Sequence, residues 1–191
     1  MGIQGIKSAL ARSLGPALSR FASDTKGSIS VEFVMMMPLL FWAYMSAYVF
    51  FDGYRLSTTN LKAAYTVSDL LSRETQVIDD DYIDTLVQLV KFLTQPDNEV
   101  DMRITLVSWN EDDNRYYVDW SESRGLGQPI NNGTIHQFFD KLPVLYDGDR
   151  VIMMETRGYY DPDFNIGWDK KELYNLVVTR PRFAPQIVYS G

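Results

Sequence analysis

Residues 26–51 read KGSISVEFVMMMPLLFWAYMSAYVFF, and within them residues 33–51, opened by Phe33 and closed by Phe51, carry no charge. A helix of that length rises about 28 Å, close to a hydrocarbon core of about 30 Å. Pro38 stands near its start, where it removes one backbone N–H and can kink the helix without ending it. Trp42, Tyr44 and Tyr48 make the run less greasy than an all-leucine span. A buried core helix is the competing reading, but such helices are usually shorter and amphipathic. The run predicts a transmembrane helix.

Its flanks differ in sign. Residues 1–26 hold Lys7, Arg12, Arg20 and Lys26 against Asp24, a net of +3, whereas residues 52–191 carry a net of -9. A short basic flank and a large acidic one predict a cytoplasmic N-terminus and a C-terminal domain on the far side. No small-x-small cleavage site follows the run, since residues 48–54 read YVFFDGY, so the segment reads as a retained anchor. The rest of the composition excludes chemistry. The 191 residues include no cysteine and one histidine, which removes disulfides, thiolate metal sites and cysteine nucleophiles. A net charge of -7 argues against nucleic acid, which needs a basic face. The mean hydropathy of -0.19 suggests an ordinary soluble protein and hides the span.

Glu32 stands at the mouth of the apolar run, where an ionisable side chain is expensive and by default points to function. Gly27, followed five residues later by Glu32, lies between a basic leader and an apolar helix. This pattern resembles the class III signal of type IV prepilins. The resemblance implies a prepilin peptidase cutting between Gly27 and Ser28, with Glu32 fifth in the mature chain. Glycine lets the backbone enter a protease site extended and without a side chain. Glu32 can then pair with the amine of Ser28, its own or a neighbour's, which offsets the cost of burying either charge alone. The competing reading makes Glu32 a helix-start acid favoured by the macrodipole.

The stretch GSISVEFVMMMPLLFW is similar to the TadE/TadG-like minor pilins, or pseudopilins, of tight-adherence (Tad/Flp) systems. Val31-Glu32-Phe33 and Pro38 match their pattern, and Thr179-Arg180-Pro181-Arg182-Phe183 resembles the ending of some members. TadG-like proteins often carry a larger von Willebrand-type domain, so a chain of 191 residues suits TadE better. The resemblance implies a non-enzymatic pilus-assembly protein of the bacterial inner membrane, used in adhesion. Its partners would be the prepilin peptidase, other pilins, Tad inner-membrane assembly proteins and membrane lipid, with no cofactor, metal, nucleic acid or small-molecule substrate. Two other readings stay open: a bitopic envelope protein whose far domain binds a ligand or partner outside any filament, and a tethered hydrolase using carboxylates.

Beyond the span, Ala63, Ala64, Val67, Leu70 and Leu71 keep helical spacing, which extends one helix over about residues 28–73. Asp79-Asp80-Asp81 then caps an amphipathic helix that stops at Gln95-Pro96. The triplet lacks the spacing and glycine of a calcium loop. The period then falls to two. Val100, Met102, Ile104 and Leu106 alternate with polar residues, which predicts a strand with one buried face. A polar turn over residues 110–114 leads to Tyr116, Val118 and Trp120 as a second alternating strand. A glycine-rich loop, a short helix over residues 133–142 and a turn at Asp147-Gly148 follow. Strands are expected over residues 150–158 and 173–179, with 186–189 as a possible fifth. His136 reads as a surface or packing residue, and Asn132-Gly133-Thr134 as a turn. The aromatics Tyr116, Tyr117, Trp120, Tyr159, Tyr160 and Trp168 read as core or, alternatively, as a contact surface. The fold class is α+β: leader 1–27, transmembrane helix 28–52, helical region 53–96, and an antiparallel ectodomain 97–191 of four to five strands.

Overall fold

The computed structural model describes residues 26–94 and 99–191, so the expected leader up to residue 25 and the expected Gln95-Pro96 stop lie outside the described residues. Its elements are helix α1 (Lys26–Ser72), helix α2 (Asp80–Thr94) and strands β1 (Asp101–Asn110), β2 (Arg115–Arg124), β3 (Arg150–Tyr160) and β4 (Lys171–Thr179). A 3-10 helix, Ile135–Lys141, stands where the short helix was expected. The architecture is α+β. Two compact units, Met1–Ala47 and Tyr48–Gly191, divide the chain.

In the first unit, α1 is long and apolar enough to cross a membrane, and only 11% of its most apolar window is buried. Phe33, Met35, Phe41 and Tyr44 lie exposed along it. A core helix of this chain would be buried, so that reading does not hold. An apolar surface of this extent is stable in lipid or under another chain.

In the second unit, all four strands pair antiparallel in the order β2-β1-β3-β4. One sheet face carries Met102, Ile104, Leu106, Ile152 and Met154 against Ala63, Val67 and Leu71 of α1 and Ile83, Leu86 and Val90 of α2. Both helices therefore pack on one face, as their periodicities required. Asp79 accepts the Tyr82 N–H at 2.9 Å, the N-cap bond that starts α2.

α1 approaches the sheet closely because small residues let it. A Cβ on Gly53 would come within 3.0 Å of the Tyr160 ring, and one on Gly158 within 3.3 Å of the Asn60 amide. Tyr160 donates its hydroxyl to the Val49 carbonyl at 3.1 Å. The Ser68 and Thr179 hydroxyls share a 2.7 Å hydrogen bond, and Arg182 N–H caps the Ser72 carbonyl at 2.7 Å.

Three expectations change. The strands do not have one buried face: Val107, Tyr116, Val151 and Met153 are buried on the other side under Ile130, Ile135, Leu142 and Leu145 of the β2–β3 crossover. Tyr116, Val118 and Trp120 do not share a face either. The register pairs Leu106 with Trp120 but Val107 with Val118, so Asp119 is an extra residue, a β-bulge. The bulge turns Trp120 to the helix side while Val118 and Tyr116 stay opposite. Finally, the expected fifth strand forms only an isolated parallel bridge, Tyr189 to Ile78 in the α1–α2 linker. Pro181 and Pro185 deprive the approach to it of backbone donors.

Leu70 and Leu71 stand side by side in the helical pattern, yet Leu71 is fully buried and Leu70 is 43% exposed. Leu71→Ala should cost about 2–5 kcal/mol of stability through a cavity, whereas Leu70→Ala should cost less than about 1 kcal/mol. Denaturant midpoints of the full chain in detergent check this; equal losses would misplace the helix face.

Candidate functional site

The residues that the prepilin-like motif singles out all lie on α1. Gly27 and Ser28 are helical, in its first turn. An extended peptide at that bond requires the turn to unwind. Glycine, as a weak helix former, lowers that cost. Glu32 is exposed and lies in the second turn, and the first turn of α1 holds no acid. The macrodipole acts mainly within the first turn, so it accounts poorly for an acid at this position. Ser28 and Glu32 are four residues apart along one helix, about one turn. Phe33 is 60% exposed, and Pro38 sits inside the helix. Its missing N–H leaves the Val34 carbonyl without its usual i+4 donor. Phe51, at the far end of the apolar run, is 74% exposed.

The arginines of the C-terminal motif make exposed ion pairs with the rest of the domain. Arg182 pairs with Asp69 of α1 at 3.2 Å and Arg180 with Asp149 at 3.2 Å. The polar turn is a local device: Asn110 accepts a backbone N–H of its own turn, and Asn114 takes a left-handed φ of 48°. Asn131 accepts the N–H groups of Gly133 and Thr134 in the same way, while Asn132 of the sequon accepts the Val118 N–H of β2 at 2.7 Å. His136 is exposed, and its Nδ1 donates to the Gly133 carbonyl at 2.8 Å.

Sequence reasoning missed a buried charge cluster under the crossover. Glu155 is 1% exposed. Arg103 grips it bidentately at 2.6 and 2.8 Å, and the Tyr174 hydroxyl donates to it at 2.7 Å. Arg103 also donates to the Gln128 carbonyl at 3.0 Å. Beside it, Arg157 binds Asp101 and donates to the Gly125 carbonyl at 3.0 Å. The two arginines thus pin residues 125–128 onto the sheet. Gly125 has φ 87° and lies so close to Asp101 that a Cβ would collide with its carboxylate. The clue available in sequence was Arg103 and Glu155 at internal positions of apolar strands. Burial, and then the Glu155 carboxylate, push the Tyr174 phenol up from its ordinary value. Both oxygens of Glu155 are engaged, so the cluster works as a clamp.

A second cluster joins α2 to β2. Arg124 reaches Asp80, Asp84 at 2.6 Å and Glu122 at 3.2 Å. Tyr189 donates to Asp80 at 2.8 Å, and this bond, then Arg124, holds that carboxyl below its usual range. Glu74 is lowered too, chiefly by the Gln76 and Thr75 N–H groups. Burial first, and then Asp80, push the Tyr189 phenol up to about 12; burial and Glu74 do the same for Tyr82.

Two outcomes test these clusters. Glu155→Ala should cost about 3–5 kcal/mol, since it leaves Arg103 buried without its partner, and Arg103→Met with Glu155→Leu should restore most of the loss. Urea unfolding of the three chains reads this; a mild single-variant loss rejects the clamp. Tyr189 and Tyr82 stay protonated in the folded state where the unfolded chain ionises near its ordinary value of about 10, so stability present below that pH declines as pH rises towards about 12. Tyr189→Phe should flatten that alkaline decline in the melting temperature and remove one late phenol from the absorbance titration.

In comparisons with protein-family models, curated proteins and solved structures, nothing matches the chain, so its functional reading rests on its own residues and geometry.

Proposed function

We propose that the chain is a minor pilin or pseudopilin of the TadE-like kind: a single-pass inner-membrane protein cut between Gly27 and Ser28, acting by assembly into or with a Tad/Flp pilus for adhesion. The N-terminus lies in the cytoplasm and the sheet domain in the periplasm, a topology supported by the +3 and -9 net charges of the two flanks. One observation carries the reading furthest. Glu32 lies in the second turn of a helix whose following apolar residues are exposed and whose later residues, from Val49 to Ser72, dock on a folded sheet.

Such a helix can remain in lipid as an anchor or be drawn sideways against other helices without unfolding the domain. Removing residues 1–27 takes away Lys7, Arg12, Arg20 and Lys26, the charges that oppose withdrawal from the bilayer. The new amine at Ser28 then stands about one turn from Glu32, within reach of that carboxylate or of a neighbouring subunit's. Pairing reduces the cost of carrying both charges through an apolar packing. The function needs no reacting group, only a cut, a pair and a surface.

The mature N-terminus decides it. Co-expressed with its peptidase, the chain should lose the mass of residues 1–27. Gly27→Leu should keep the leader, and Glu32→Ala should be cut but fail to assemble. Intact mass spectrometry with counting of surface pili reads all three. An uncut wild-type chain supports a bitopic envelope protein instead, and normal pili from both variants remove the assembly mechanism.

A further inference from the structure

The apolar run does not end in open solvent. Its last residues, Tyr48, Val49, Phe50 and Phe51, belong to the same compact unit as the sheet. Tyr48, Val49 and Phe50 meet the β3–β4 loop, residues 161–170. The Phe50 and Trp168 rings lie edge to face at 4.2 Å, and those of Tyr48 and Phe164 at 5.9 Å. Ile166 and Trp168 pack on a small core of Val49, Leu56 and Tyr160.

This contact leaves much aromatic surface uncovered. Phe51 and Tyr54 are 74% and 75% exposed, and Phe50 and Phe164 remain half-exposed beside them. Lys171 lies over the Trp168 ring at 5.5 Å and Lys170 over Tyr159 at 4.5 Å. Tryptophan and tyrosine with nearby lysines make the composition found at the headgroup level of bilayers. A soluble surface has no reason to gather so many exposed rings.

We propose that the β3–β4 loop is a second membrane contact: Phe164 and Trp168, held by Tyr48 and Phe50, seat the sheet domain on the bilayer interface where the span emerges. The uncharged run closes at Phe51 and Asp52 follows, so a spanning helix leaves the hydrocarbon there. A loop whose tryptophan touches Phe50 cannot lie far from that plane. Asp161, Asp163 and Asp169 oppose an anionic surface, so the partner that fits is a zwitterionic headgroup layer entered by rings. The seat fixes the tilt of the domain, which a flexible tether would leave free. The proposal rests on α1 crossing the bilayer.

The cysteine-free chain suits single-site labelling. Phe41→Cys, Asp163→Cys and Asp112→Cys are each labelled with bimane in the full chain in phosphatidylcholine vesicles, with shallow or deep nitroxide lipids and aqueous iodide as quenchers. Asp112 lies in the turn beside the start of β3, about 30–35 Å along that strand from the loop. The label at 41 should answer to deep nitroxide and that at 112 to iodide only. The label at 163 should be quenched at least about twofold more by shallow than by deep nitroxide, as interfacial groups are. Trp168→Ala, with the same label at 163, should lower the shallow quenching about twofold or more. The comparison at 163 in the parent sequence stands even if that variant fails to fold. The proposal is overturned if 163 is as open to iodide as 112, or if it is shielded from iodide and lipid alike, which would mean a protein covers the loop. A silent response to lipid at 41 removes the anchor itself, and is distinguishable from both.

Discussion

The close seating of α1 on β3 and β4 is the contact on which the other parts of the domain depend. Gly53 against the Tyr160 ring, Gly158 against Asn60 and Ser68 against Thr179 bring helix backbone and sheet together where larger side chains would hold them apart. That approach lets Val67 and Leu71 share one core with Ile152 and Met154. It also ties Tyr160, the last residue of β3, to the carbonyl of Val49. The last residues of the apolar run, from Tyr48 to Phe51, thereby belong to the folded domain.

The sheet has two working faces with different chemistry. The helix face is apolar at its centre, where burial stabilises it, and polar bonds such as Ser68 to Thr179 and Arg124 to Asp84 lie at its edges. The other face mixes a hydrophobic half, Val107, Val151 and Met153 under Ile135 and Leu142, with the paired arginines and carboxylates. Apolar residues alone would not dictate where residues 125–128 must run. The bidentate grip on Glu155 and the carbonyls held by Arg103 and Arg157 supply that direction. The Asp119 bulge completes the division, since it sends Trp120 to cover the helix core while Tyr116 covers the crossover core.

Much of this was legible in the residues. The uncharged run, the helical spacing of Ala63 and Val67, the Asp79 cap and the period-two strands each follow from local rules, and each element stands near where those rules place it. What local rules do not contain is pairing. The bulge depends on which residue of β1 faces Trp120, and the second buried face depends on a crossover returning over the sheet. Arg103 and Glu155 are 52 residues apart, so alternation alone reads both as solvent-facing. Residues 186–189 look like a strand, but the partner they find is the single residue Ile78. At the motif, Gly27, Ser28 and Glu32 were visible from residue type and spacing, and the structure adds that the bond between the first two starts out helical.

The bonds that fasten α1 to the sheet have a bearing on timing. Val49 with Tyr160, and Ser68 with Thr179, are each separated by 111 residues. Contacts so distant in sequence form late, because a large loop must close before they repay its entropy. Until β3 and β4 exist, Ala63, Val67 and Leu71 present an apolar stripe with nothing to cover it. A chain made from its N-terminus therefore carries that stripe uncovered until residues 150–179 have followed, a surface on which copies of the chain can associate.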